Sequence, residues 1–170
     1  MKKLQSQKGR EKEEQYKTNK WLYAIKIGFF GGLIWGIIHW FCYSMKFTKV
    51  VPGFLLDPFF RHSFLKSGWG VIYGIGSFIL FSIVAALLYI ALFRKLKGPW
   101  PGVLYGLVWW VIIFIGIGPA VGMMKWITKI GWNTIYTEFC IFLLWGVFIG
   151  YSIAFEFTDE VSREPVTMKS

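Results

Sequence analysis

The sequence predicts an all-α integral membrane protein, a four-transmembrane-helix bundle with a short outer interfacial helix. Three observations carry this. Of the 170 residues, 55% are apolar, and the mean hydropathy is +0.50. Charged residues make up only 16% of the chain. They are also segregated: residues 1–20 form a dense run of charge, whereas 68–93 and 102–124 contain none. Soluble globular chains carry more charge. Each apolar stretch exceeds the ~20 residues a helix needs to cross a ~30 Å hydrocarbon layer.

Residues 1–20 hold seven Lys/Arg and three acids, and are expected to form a basic, disordered cytoplasmic tail. Such a segment has too little apolar surface to offset the entropy of folding. The transmembrane domain is expected over 21–157, with spans at about 21–45, 68–93, 102–124 and 135–157, followed by a polar cytoplasmic tail over 158–170. The first span is too long for a cleaved signal segment and is preceded by too much charge. It carries Lys26 and His39 among apolar residues. Lipid offers the backbone no hydrogen-bond partners, so continuous apolar runs of this length must be helical. A barrel would need alternating segments of about ten residues.

The segment from Lys46 to Ser67 is too apolar for a solvated loop. Asp57 is a good N-cap and Pro58 a good first helical residue, with Phe59, Phe60, Phe64 and Leu65 following. This predicts a short helix lying on the outer leaflet. The Gly98-Pro99-Trp100-Pro101-Gly102 run stops the second span and starts the third, predicting a tight antiparallel hairpin. Gly116-Ile117-Gly118-Pro119 is the expected kink in span 3, because proline removes a donor and crowds the preceding turn.

Orientation follows from cations near the span ends. The N-terminal tail with Lys26, the Arg94-Lys95-Leu96-Lys97 hinge and the C-terminal tail together carry thirteen Lys/Arg; the opposite side carries six. Both termini are therefore expected in the cytoplasm. The net charge of +10 is accounted for by these flanking residues, and no nucleic-acid partner is expected.

Every span contains glycines four residues apart, which fall on one helix face and let backbones approach. The candidate packing positions are Gly28, Gly32 and Gly36 in span 1, Gly70 and Gly74 in span 2, Gly102 and Gly106 in span 3, and Gly146 and Gly150 in span 4. Whether these faces meet within one bundle or between protomers is open at this point. A faint repeat accompanies them, Gly32-Leu33-Ile34-Trp35-Gly36 in span 1 against Gly102-Val103-Leu104-Tyr105-Gly106 in span 3.

The chemistry-bearing residues are few. No HExxH, GxSxG or phosphate-binding loop occurs, and Cys42 and Cys140 make no CxxC. No catalytic residue, cofactor site or metal ligand is predicted. His39, late in span 1, and Glu138, early in span 4, fall at matching depth on the outer side and form the candidate ionisable pair. Ionisable groups inside a membrane are functional candidates by default, and a His–Glu contact is suited to proton linkage. The alternative is that each is an interfacial residue with local partners.

Three runs carry a resemblance: Ile27-Gly28-Phe29-Phe30-Gly31-Gly32-Leu33-Ile34-Trp35, Trp100-Pro101-Gly102-Val103-Leu104-Tyr105-Gly106 and Phe148-Ile149-Gly150-Tyr151-Ser152-Ile153-Ala154-Phe155-Glu156. Here the chain resembles the YqhR family, small conserved membrane proteins of Bacillus and related spore-forming bacteria. The resemblance implies a bacterial plasma-membrane location and carries no activity or binding residues. The leading expectation is a non-enzymatic multi-pass protein acting by assembly with itself or a membrane partner. The alternative is a small transporter, channel or permeation accessory subunit.

Overall fold

A computed structural model describes residues 19–93 and 100–162, with side chains placed through residue 156. The expected N-terminal tail, the 94–99 part of the hinge and the end of the C-terminal tail lie outside the described residues. The chain forms α1 (Lys20–Ser44), a 3-10 turn (Phe54–Leu56), α2 (His62–Leu65), α3 (Gly68–Phe93) and α4 (Trp100–Val111). A π-helical turn (Ile112–Ile117), α5 (Gly118–Val121), α6 (Ile127–Ile130) and α7 (Trp132–Ser162) follow. Four helices are long and apolar enough to cross a membrane: α1, α3, the continuous Trp100–Val121 unit, and α7 over Trp132–Glu156.

The span boundaries shift at two places for identifiable reasons. Span 3 ends at Val121 and not Met124, because Gly122 adopts the left-handed conformation (φ 81°) that caps helices. Span 4 begins at Trp132, just after Gly131 (φ 96°), and its helix continues to Ser162, into the expected C-terminal tail. The 116–119 sequence produces a widened turn. The Gly118 N–H bonds the Ile113 carbonyl five residues back, which makes room for the Pro119 ring within a continuous helix.

Glycine registers organise the bundle into two antiparallel pairs. On α1, a Cβ at Gly28 would lie 2.6 Å from the Ile83 Cα, and one at Gly32 would lie 2.5 Å from the Ile79 Cα. On the second pair, a Cβ at Gly146 would lie 2.5 Å from the Gly106 Cα, and one at Gly102 would lie 2.7 Å from the Gly146 carbonyl oxygen. These are backbone-to-backbone contacts that no side chain can share. Spans 1 and 2 therefore pair closely, as do spans 3 and 4, and α1 also meets α7. Spans 2 and 3, expected as the tight hairpin, meet through side chains instead: the Tyr105 hydroxyl donates to the Ala85 carbonyl (2.7 Å), and Phe81 meets Trp109 edge-on at 4.9 Å.

The space between the two pairs is filled by rings. Phe78, Phe81, Phe142 and Trp145 contact one another at centroid distances of 5.4–6.4 Å. Their planes range from stacked to perpendicular, as the ring quadrupole prefers. The Trp145 Nε1–H donates to the buried Ser82 hydroxyl at 3.0 Å, so the largest buried side chain has its polar atom satisfied. Large apolar side chains such as Phe29, Ile72, Leu80, Leu92 and Leu104 point outward on every span. That is the surface a lipid-embedded bundle requires.

Candidate functional site

The end of the bundle carrying residues 46–67 and 122–131 is built differently. At the end of α1, Lys46 adopts φ 62°, unusual for a residue with a Cβ. The Phe47 N–H reaches back to the Cys42 carbonyl (2.9 Å) and the Lys46 N–H to the Tyr43 carbonyl (3.0 Å). This paired bonding closes a helix C-terminus, normally with glycine at the left-handed position. Here it turns the chain back into the bundle, and Thr48, Val50, Val51 and Phe54 become buried.

The 46–67 segment is thus partly an insert. Gly74 of α3 packs against its backbone, where a Cβ would lie 2.6 Å from the Gly53 nitrogen; Gly70 packs on Phe64 and Leu65 in the same way. Phe54 reaches Phe114 of the π-helical turn (6.4 Å between centroids) and His39 of α1 (5.7 Å). Asp57 does not start a helix. It ends the 3-10 turn, and its carboxylate bonds His62 Nδ1 at 3.1 Å, leaving α2 to begin at His62 without a side-chain cap. The short helix is present but shorter and later than Asp57 and Pro58 suggest, because Asp57 closes the preceding 3-10 turn in right-handed geometry (φ −55°, ψ −35°) and not in the extended conformation of an N-cap.

Beneath this insert the two candidate ionisable residues meet. His39 Nε2 lies 2.9 Å from Glu138 Oε1, with His39 4% exposed and Glu138 fully buried. The Thr48 hydroxyl donates to the same carboxylate oxygen at 2.5 Å and accepts from the Val50 N–H at 3.1 Å. The Lys49 N–H bonds the Thr134 hydroxyl, one turn before Glu138, at 3.2 Å. Glu138 therefore ties together α1, α7 and the inserted segment. Its second oxygen, Oε2, is buried with no hydrogen-bond partner among the described residues. Such a group is costly in a low-dielectric interior, more so for a carboxylate than for the Trp35, Tyr89 and Trp110 polar atoms that are also buried without a partner.

Thr48 is the residue that sequence reasoning missed. It lies in a connection, 90 residues from its partner, and a single threonine there carries no periodic or motif signal. Cys42, one turn beyond His39 on α1, and Cys140 on α7 are both free thiols. Among the described residues no cluster of three metal-ligating side chains occurs.

The nine candidate glycines are placed as follows. Gly28, Gly32 and Gly36 face α3; Gly102 and Gly106 face Gly146 and Gly150; Gly70 and Gly74 face the inserted segment. Gly36 sits more loosely, its nearest neighbour being the Ile75 side chain at 3.3 Å, with the Ile75 Cα and Phe78 at 3.7 Å. All nine faces are occupied within one chain.

At the same end of the bundle a cavity of about 470 Å³ opens, with Lys49 and Val50, the residues after Thr48, in its wall. Lys49, Lys125, Lys129, Asp57 and His62 line it together with Val50, Val51, Met124 and Ile130.

Comparison with known proteins agrees with a membrane protein. The family described as conserved membrane protein YqhR matches residues 3–167. A Bacillus subtilis (strain 168) protein described as "Uncharacterized protein YqhR" is 39% identical over 132 residues, covering 78% of this chain and 74% of its own length. No solved structure matches. A four-span helical bundle whose sequence follows that family's pattern from end to end leaves one assignment: the chain belongs to the YqhR family of conserved membrane proteins.

Proposed function

We propose that this chain is a non-enzymatic protein of the bacterial plasma membrane. In this reading both termini are cytoplasmic, and it acts by assembly with a membrane partner or a second copy of itself. The charge state of the His39–Glu138–Thr48 site sets the shape of the surface it offers. The observation that carries this reading is the fully buried Glu138 carboxylate, held on one oxygen by a helix and by the inserted segment, with its other oxygen unpartnered. A change in protonation of the pair alters whether Glu138 accepts from both Thr48 and His39, and so whether residues 46–54 stay seated. Orientation is supported by the thirteen cations on the tail side against six at the other end. The glycine faces are filled internally, so the assembling surface in this reading is the exposed part of the 46–67 segment, including Phe59 (80% exposed).

The test is hydrogen exchange of residues 46–54 in bilayer nanodiscs between about pH 5 and pH 8, the range in which histidine changes charge. Protection is expected to vary with pH in the natural chain and to become flat in Glu138→Gln, which keeps the shape and removes the charge. Cys42 is a further titratable side chain that interacts electrostatically with Glu138, and Cys42→Ser controls for it. Equal pH dependence in the natural chain and Glu138→Gln would retire the reading.

A permeation accessory is the second reading, favoured by the orphaned Oε2, since buried carboxylates line many ion paths. The packed aromatic layer of Phe78, Phe142 and Trp145 lies deeper in the bundle, so this reading calls for opening of that layer or for an oligomer. Proton flux into vesicles that is lost in Glu138→Gln would support it over assembly alone.

A further inference from the structure

The cavity at this end of the bundle has a chemistry of its own. Lys49 enters it from the inserted segment, while Lys125 and Lys129 enter from the connection between spans 3 and 4, some eighty residues away in sequence. The fold thus brings three lysines from two separate connections to the lining of one cavity. The Lys49 Nζ lies 3.7 Å from where a Gly131 Cβ would stand, so this side chain leans across toward the other connection. Among the described residues none of the three is paired with a carboxylate. The one acid on the cavity wall, Asp57, is already engaged by His62.

The wall between the lysines is apolar. Val50, Val51 and Ile130 are buried, forming the inner surface beneath an exposed cationic rim. Like charges gathered on one cavity wall repel one another, and a bound anion lowers that penalty. A phosphate oxygen cluster suits compact ammonium groups with rotatable donors. A volume of about 470 Å³ falls in the range of organic-ligand pockets and exceeds what a lone phosphate fills. The apolar wall then takes the organic body attached to the phosphate.

We infer that this cavity binds a phosphate ester, with Lys49, Lys125 and Lys129 on the phosphate and Val50, Val51 and Ile130 against the attached group. Two sources supply that chemistry: the headgroup of an anionic phospholipid, or a soluble phosphate ester at the membrane surface. Occupancy bears on the buried site as well, because Lys49 and Val50 directly follow Thr48 in the chain.

The experiment uses the full chain in neutral detergent, with binding counted by native mass spectrometry. One arm titrates phosphatidylglycerol against phosphatidylcholine; the second adds glycerol 3-phosphate; inorganic phosphate serves as competitor in both. Preference for phosphatidylglycerol identifies a lipid headgroup, and binding of glycerol 3-phosphate without lipid preference identifies a soluble ester. The combined Lys49→Gln, Lys125→Gln, Lys129→Gln variant should bind at least roughly tenfold more weakly. The Lys46→Gln, Lys66→Gln variant, altered at the same end but outside the cavity, should stay within about twofold. Asp57→Asn, which removes the acid from the wall, should tighten binding. All changes are at or near the surface, and elution volume with helical content reports folding. If both lysine sets weaken binding equally, the effect is diffuse surface charge and the site is overturned. If neither phosphatidylglycerol nor glycerol 3-phosphate binds in preference to phosphatidylcholine, the inference is equally overturned.

Discussion

The two ends of this bundle solve opposite problems. Through its middle and toward the tails, α1 lies against α3 and α4 against α7 at glycine-to-backbone distances, and rings fill what remains. At the other end the backbone turns sharply at Lys46, a segment folds inward, and a carboxylate is buried with one oxygen unanswered. In the first region close packing dominates, although Tyr89 Oη and Trp35 Nε1 are also buried without a partner. In the second, strain and an unsatisfied polar group accumulate within a few residues of a cationic cavity. Local rules broken in one place mark where a fold gives up stability for function.

Substitutions separate the two regions, and the largest effect belongs to the glycine faces. Gly106→Leu puts a side chain where the Phe142 carbonyl and the Leu143 backbone already stand, and neither can move without parting the helices. Overpacking of this kind costs ~3 kcal/mol or more and should abolish a folded monomer in detergent, read by unfolding and elution. Gly76→Ala, on α3 with open space around it, should be neutral or slightly stabilising. Equal tolerance of both would break the distinction between contact and composition.

A smaller effect is expected at the insert. Thr48→Val keeps the shape but removes the donor to Glu138 and the acceptor for the Val50 N–H. The loss should be about 1–3 kcal/mol and local, with faster hydrogen exchange at residues 46–54 and unchanged protection across the aromatic layer. Global destabilisation instead would mean the two ends are one cooperative unit.

The smallest change should be a gain. Lys46→Gly relieves the left-handed backbone, worth ~1 kcal/mol against the added freedom of glycine when unfolded. A modest rise in thermal midpoint is expected. A fall would show that the Lys46 side chain contributes something its backbone strain conceals.

Four helices long and apolar enough to cross a membrane were legible in the amino-acid sequence, because continuous apolar runs of that length must satisfy their own backbone in lipid and charge is concentrated at their flanks. The glycine spacing marked the close faces for the same reason: removing side chains at every fourth residue leaves one bare stripe. His39 and Glu138 stood out as ionisable groups at matching depth. Which faces meet was not legible, since Gly36, Gly74 and Gly106 look alike in sequence yet meet the Ile75 side chain, the inserted backbone and α7 respectively. Tertiary structure alone decided that Thr48 completes the carboxylate site, that Asp57 serves His62 instead of capping a helix, and that three lysines from two connections share one cavity. Periodicity reports what a segment does along its own axis; contacts between distant connections have no period, and they arise only once the helices have set where the loops must go.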